Sequence, residues 1–318
     1  MPSAKIVFAD ADSVGAVDFS SLQQQGTTLL ADKLSFNAQV QDYIKDADVI
    51  ISNKVQIGQN LLEQAQNLKL VCVAATGYNN VDLAACQAKQ IAVCNVKDYS
   101  TMAVAQHTFA MLLTWLNKVQ QYHQASTNGS WAQSKHFCLL DYPIADLAGK
   151  TFGIIGYGNI GRAVANIAKA FSMNVLIAER PNTSARDGRS AFEQVIQQAD
   201  ILSLHSPLTE DNQKMIDKNL LGQMKSSAIL INTARGGLID EEALLNALEQ
   251  QQIQAALLDG LTIEPPAANH ILLNADLPNL LVTPHVAWAS IDSRQKLIDE
   301  IALNIQAFFN GESRNRLD

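Results

Sequence analysis

The chain has 318 residues, of which 47% are hydrophobic and 17% charged, a globular composition long enough for two cores, so two domains are expected. Its net charge of -8 argues against a nucleic-acid or anionic-membrane surface, because phosphate binding needs clustered Lys and Arg. Cys72, Cys86, Cys94 and Cys138 lie far apart, without a CxxC or a nearby histidine pair. They read as reduced residues of a cytoplasmic protein and offer no metal site.

From the N-terminus, MPSAKIVFAD holds only a strand-length apolar patch running into acids, so neither a signal segment nor a membrane span is expected. Lys5 to Ala9, Thr27 to Leu30, Val49 to Ser52 and Leu70 to Ala74 read as short strands. Helical segments are expected near Ala38 to Ile44 and Gln59 to Gln66, which makes residues 1–98 a small doubly wound domain. The fourth strand leads into ATGYNNVD, a polar turn with Gly77 that ends at Asp82. Such a turn either caps the next helix or binds a ligand at the carboxyl edge of the sheet.

Ser100 to Lys118 predicts a helix that is apolar nearly all round and therefore buried between domains. Within it, His107 reads as a satisfied core group more readily than as a catalyst. Residues 120–147 lose the periodicity and carry Trp131, Phe137 and Tyr142. Large aromatics in an irregular arm suggest a partner surface, with a homodimer preferred, or else an arm folded back on its own chain.

Thr151 to Arg180 reads as strand, glycine turn, helix and second strand. Gly156 permits the tight turn, Gly158 lets backbone approach a pyrophosphate, and Gly161 allows close helix packing. The helix N-terminus is suited to phosphate. Glu179, about 20 residues past the glycines, is placed to accept hydrogen bonds from a ribose diol. Three further strands, Ile201 to His205, Ala228 to Asn232 and Ala255 to Asp259, each end in a polar turn. In a parallel sheet those turns share one edge with the glycine loop. Arg235, backed by Gly236 and Gly237, can hold a carboxylate in bidentate fashion. His285 follows Pro284, and Glu264 precedes Pro265. If these two meet, the carboxylate orients the ring and favours a protonated imidazole near neutral pH.

NTARGG, Asp259 with Glu264 five positions on, TPHVAW and the glycine loop together resemble the D-isomer-specific 2-hydroxyacid dehydrogenases over essentially the whole chain. ISNKV, ATGYNNVD and PHVAW are most similar to the glycerate dehydrogenase/hydroxypyruvate reductase branch. The resemblance implies an α/β protein of two doubly wound, Rossmann-like domains with a cleft between them. Residues 1–98, completed by 289–318, would bind substrate, and residues 99–288 would bind the dinucleotide. It implies Arg235, Glu264 and His285 as the catalytic set. Gly156, Gly158, Asn159, Ile160, Gly161, Glu179, Pro207, Thr233, Ala234 and Asp259 are implied as cofactor contacts, Asp259 near the nicotinamide amide. Lys54, Ala75, Thr76 and Gly77, with Arg235 and His285, are implied on the substrate side. Two positions depart from the family pattern: Gly260 stands where valine is usual, and Ser206 where cysteine is common.

The expected activity is reversible hydride transfer between a nicotinamide and C2 of a small, unphosphorylated 2-oxo acid such as hydroxypyruvate or glyoxylate, with no metal. Glu179 favours NAD by repelling a 2′-phosphate. Arg180, Arg186 and Arg189 could instead embrace that phosphate, so NADP stays open. A dinucleotide-sensing corepressor on the same fold is the alternative of a different class.

Overall fold

A computed structural model describes residues 4–32 and 43–317. The helix expected near Ala38 to Ile44 falls mostly on residues 33–42, outside the described residues. The chain divides into two compact units, Met1–Ser100 with Trp288–Asp318, and Thr101–Ala287.

In the first unit, β1 (Ala4–Phe8), β2 (Gly26–Leu30), β3 (Val49–Ser52), β4 (Leu70–Val73) and β5 (Ala92–Cys94) form a parallel sheet in the order β2-β1-β3-β4-β5. The central strands VIIS and LVCV are buried at every position, the unbroken apolar signature of a parallel sheet covered on both faces. One face packs against Leu297, Ile298, Ile301 and Ile305 of the C-terminal helix. The other carries Leu62, Cys86 and their neighbours, from the short helices α2 (Gln59–Gln64) and α3 (Leu83–Ala88), which follow α1 (Ser20–Gln23). Three-residue β5 is too short for a periodic signal and is absent from the sequence reading. The strand order reverses between β1 and β3, and the loops after these two strands meet at that point.

The second unit opens with α4 (Thr101–Asn117) and α5 (Val119–Thr127). Two expectations are corrected here. Helix α4 buries Val104, Ala105, Thr108, Phe109, Met111, Leu112 and Leu116 but exposes Met102, Gln106, Ala110 and Thr114, so its burial is one-sided rather than all round. The chain expected to be irregular from residue 120 is helical to Thr127; its glutamine-rich surface gives only a weak apolar stripe, with Ala125 as the buried residue.

There follow β6 (Thr151–Ile155), α6 (Asn159–Ala170), β7 (Asn174–Ile177), α7 (Phe192–Gln198), β8 (Ile201–Leu204), α8 (Lys218–Gln223), β9 (Ile229–Asn232), α9 (Glu241–Glu249), β10 (Ala255–Asp259) and β11 (Leu280–Thr283). All six strands run parallel in the order β11-β10-β9-β8-β6-β7. The order reverses between β6 and β8, so the loops after these strands frame the ligand crevice of an open α/β sheet. The final helix α10 (Ile291–Phe309) is capped by Ser290 and returns to the first unit.

Phe152 at the start of β6 is fully buried and stacked on Phe109, with ring centroids 5.7 Å apart, and Phe109 stacks in turn on Phe171. Phe152→Ala therefore removes the sheet's ring from the packing against α4. It should destabilise the second unit by about 3–5 kcal/mol, read as a lowered Tm.

Candidate active site

The glycine loop after β6 is shaped by close contacts. Gly156 has φ +93, and a β-carbon there would lie 2.5 Å from the His205 carbonyl carbon and the Ser206 nitrogen. A β-carbon on Gly161 would stand 2.2 Å from the Gly156 carbonyl oxygen. Gly158 differs: nothing lies within 4 Å of the place its side chain would take, and it caps α6 without a side-chain bond. Open space thus meets the N-terminus of a 12-residue helix, where unpaired N–H groups and the helix dipole favour an anion. Asn159 pairs with Arg162 on the first turn, and Ile160 packs against the core.

Glu179 follows β7 with its side chain only 3% exposed. Arg186 donates to it through Nε at 2.6 Å and Nη2 at 2.9 Å, and the Arg180 backbone N–H donates at 2.9 Å. The Arg186 hydrogen bonds, then that backbone bond, hold its carboxyl down to about 2. Arg189 stands 3.9 Å away. The acid is therefore ionised throughout the physiological range and arrives with its own cations.

Past β8, burial pushes His205 down to about 4, so its ring is neutral. Its Nε2 pairs with Ser203 Oγ at 2.9 Å, whereas His205 Nδ1 and Ser206 Oγ are buried without a hydrogen-bond partner among the described residues. The open cradle at Gly158, the ionised acid after β7 and these orphaned polar atoms fit a dinucleotide. Pro207 is exposed at the same loop, its carbonyl accepting from Asn212 Nδ2 at 2.8 Å.

At the end of β9 the buried Asn232 shapes the next turn: its Oδ1 accepts from the Ala234 N–H at 3.0 Å, and its Nδ2 donates to the Arg235 carbonyl at 2.8 Å. Thr233 is tied to Thr108 of α4, hydroxyl to hydroxyl at 3.1 Å. Arg235 is half-buried, with Nη1 donating to the Ala234 carbonyl at 2.7 Å.

Asp259 ends β10 with its side chain 1% exposed. Its Oδ1 accepts from Thr283 Oγ1 at 2.6 Å and the Val286 N–H at 2.8 Å, and its Oδ2 from the Ala287 N–H at 2.8 Å. These bonds fasten both sides of His285, whose backbone has φ +53, a conformation unusual outside glycine and one that needs such support. Across from it, His285 Nδ1 and Glu264 Oε2 are 2.6 Å apart, so the two residues flagged separately in the sequence do meet. His107 also belongs to this cluster: its Nε2 lies 3.1 Å from Thr283 Oγ1 and 3.7 Å from Asp259 Oδ1.

In the first unit Lys54 lies just past β3, and Ala75, Thr76 and Gly77 just past β4. The Thr76 hydroxyl donates to the Val96 carbonyl at 2.8 Å. In the turn ATGYNNVD, Asp82 caps α3 through the Ala85 N–H, and buried Asn80 reaches back to Ser52 Oγ and the Val55 carbonyl. Asp10, fully buried at the end of β1, accepts from the N–H groups of Asn53, Lys54 and Val55 at 2.9, 2.6 and 3.2 Å. The sequence reading gives neither Asp10 nor Asn232 a role in the site, Asn232 figuring there only as the end of a strand; the available signal was an acid or amide closing an apolar strand. Among the described residues no group of three or more His, Cys, Asp or Glu side chains could hold a metal, and no helix is long and apolar enough to cross a membrane.

Asp259→Asn would turn one acceptor oxygen into a donor amid three donors. It should cost roughly 1.5–3 kcal/mol of stability and reduce any turnover that depends on His285, checked by thermal unfolding alongside a nicotinamide-oxidation assay.

Residues 109–287 match the family model for the D-isomer specific 2-hydroxyacid dehydrogenase, NAD binding domain. The chain is similar to a glycerate dehydrogenase of Methylorubrum extorquens, 43% identical over 87% of each chain. It is also similar to a hydroxypyruvate reductase of Blautia hydrogenotrophica, 34% identical over 95% of each. Among solved structures it resembles an acyclic imino acid reductase in complex with NADPH and D-Arg, with TM-score 0.85 and 28% identity over 98% of this chain and 99% of that one. A D-lactate dehydrogenase of Aquifex aeolicus complexed with NAD and lactic acid matches with TM-score 0.80 and 25% identity over 96% of each chain.

Proposed function

Because the chain belongs to the D-isomer specific 2-hydroxyacid dehydrogenase family, we propose that it catalyses reversible hydride transfer between NAD(H) and C2 of a small 2-oxo acid such as hydroxypyruvate or glyoxylate. The observation that carries this reading is the 2.6 Å contact of His285 with Glu264, on the strand-end loops of the sheet that also bears Arg235. Coarser than the substrate, the chain is an oxidoreductase acting on a CH–OH group.

The dinucleotide would be held by the Gly156–Gly161 loop, Glu179, Pro207, Thr233 and Ala234, and when bound it supplies or accepts the hydride. Arg235 donates one guanidinium N–H to the Ala234 carbonyl, and its other N–H groups suit a substrate carboxylate and the charge that develops on the carbonyl oxygen. His285 presents Nε2 as the site of the proton delivered to that oxygen, while Glu264 at Nδ1 fixes the orientation of the ring. Asp259 serves this chemistry by holding the His285 turn; its expected contact with the nicotinamide amide would add to that duty. With the Thr76 hydroxyl engaged on Val96, contacts from Ala75 to Gly77 fall to backbone N–H groups. Lys54 supplies the substrate-side cation. A single lysine suits an unphosphorylated acid.

For the cofactor, ionised Glu179 favours a ribose diol, and its pairing with Arg186 keeps that cation engaged, which supports NAD. Arg186 and Arg189 beside the acid are the observation favouring NADP, and the ratio of kcat/KM with NADH to that with NADPH decides. NADH oxidation with a panel of 2-oxo acids tests the whole reading: tight NADH binding without turnover of any of them would sink it in favour of a sensor. Arg235→Ala and His285→Ala should each lower kcat/KM by roughly 100-fold or more while leaving NADH affinity near the parent value.

We read the protein as a cytoplasmic homodimer. Four cysteines that form no disulfide with one another suit a reducing compartment. Trp131, Phe137 at 91% exposure, Leu140 at 83% and Ile144 are exposed large hydrophobics close together in one arm of the chain, which supports a partner surface there. Phe137→Asp combined with Leu140→Asp should convert a dimer to a monomer in light scattering; a monomeric parent protein would refute the assignment.

A further inference from the structure

His107 sits on α4 with its side chain 22% exposed, and the proposed hydride transfer gives it no part. Its Nε2 stands 3.1 Å from Thr283 Oγ1 and 3.7 Å from Asp259 Oδ1. Which atom donates follows from the protons present. Thr283 has a single O–H, given to Asp259 Oδ1 at 2.6 Å, while the Leu258 carbonyl at 3.4 Å is the weaker alternative acceptor. Only lone pairs then remain on Oγ1. The histidine nitrogen can bond that oxygen only by donating, so the hydrogen-bond network assigns a proton to His107 Nε2. The bonds run in one direction, from His107 to Thr283 to Asp259.

The histidine turn hangs on the same threonine. Thr283 and Asp259 are ladder partners in β11 and β10. The Thr283 carbonyl accepts from the His285 N–H at 2.9 Å and from the Gly260 N–H at 3.2 Å, and Asp259 takes the N–H groups of Val286 and Ala287. By occupying the lone pairs of Oγ1 from the helix side, His107 turns the Thr283 hydroxyl toward Asp259 and away from the Leu258 carbonyl. One residue further along α4 the device recurs: Thr108 gives its only O–H to the Val104 carbonyl at 2.8 Å, so the Thr233 hydroxyl 3.1 Å away must donate to it. Adjacent residues of one helix thus settle the proton direction beside β9 and in β11.

We infer that His107 is a positioning residue for the acid–base turn: its Nε2–H orients the Thr283 hydroxyl onto Asp259, and through that relay it holds the backbone that presents His285. The inference rests on the proposed oxidoreductase activity, in which His285 delivers the proton.

The test uses the full-length protein and reads the relay both with and without turnover. Nitrogen-15 spectra of the histidine rings at pH about 8.5, well above the ordinary histidine value, should show His107 as the Nε2–H tautomer, its signals assigned by their loss in His107→Gln. An Nδ1–H tautomer would overturn the inference. His107→Ala and His107→Asn should lower kcat by roughly 10-fold, the rate equivalent of one ordinary hydrogen bond, and should move the His285 ring signals. Glutamine, whose terminal amide reaches the place of Nε2, should restore kcat to within about 3-fold of the parent and return the His285 signals, whereas the shorter asparagine does not. In a Thr283→Val background, His107→Ala should change kcat by less than about 3-fold, because the two residues act as one unit. Equal losses in both backgrounds, or a glutamine variant as impaired as alanine, would show that His107 serves packing alone. With Tm followed for every variant, an alanine protein that does not fold leaves the parent tautomer and the glutamine–asparagine contrast to decide. If the parent turns over no 2-oxo acid, the oxidoreductase reading fails, and the tautomer with the His285 signals still decides the relay.

Discussion

The Asp259 carboxylate is the interaction on which the rest of the second unit's chemistry depends. Burying a polar group costs free energy unless it is hydrogen-bonded, and here the donors come from Thr283, Val286 and Ala287. The same three bonds that make the acid tolerable also hold His285 at φ +53. The end of β10 and the turn after β11 thus behave as one rigid piece, and the His285 ring is presented to Glu264 from a fixed backbone.

The device recurs. Asn232 closes the turn that carries Arg235, and Asp10 gathers the three N–H groups of the loop that carries Lys54. In each case a polar side chain at the carboxyl end of an apolar strand satisfies the first backbone groups to leave the ladder. Those groups could not go unpaired in a buried position. The parallel sheets supply the other half of the arrangement, since every strand releases its loop on the same edge. Gly156 and Gly236 then let neighbouring loops approach to distances at which any β-carbon would collide with backbone.

The candidate site was legible wherever the signal was local. The glycine loop with Glu179, the NTARGG turn and the His285 segment each declare themselves within a few residues, and all emerge at strand ends. Less was legible where burial depended on distant partners. Asp10 and the Lys54 loop are 44 positions apart in sequence, and nothing near Asp10 announces its role. Asn232 looked like the end of a strand rather than the staple of the following turn. His107 read as a satisfied core group, and its ring does have a partner in Thr283 beside Asp259; these residues lie more than 150 positions further along the chain, too far for the sequence to name. Helix α5 escaped notice because glutamines mask its weak stripe, and the exposed face of α4 escaped because hydropathy alone does not tell which apolar residues find a partner.

By itself the sequence determined the α/β fold of two Rossmann-like domains and the dinucleotide cradle, because strand periodicity, glycine turns and residue chemistry are all encoded over short stretches. Only the tertiary structure decided that Glu264 and His285 touch and that Asp259 is spent on holding the histidine turn. These are matters of which groups far apart in the chain share a few ångströms of buried space. Sheet topology and close packing set that distance, and no local pattern records it.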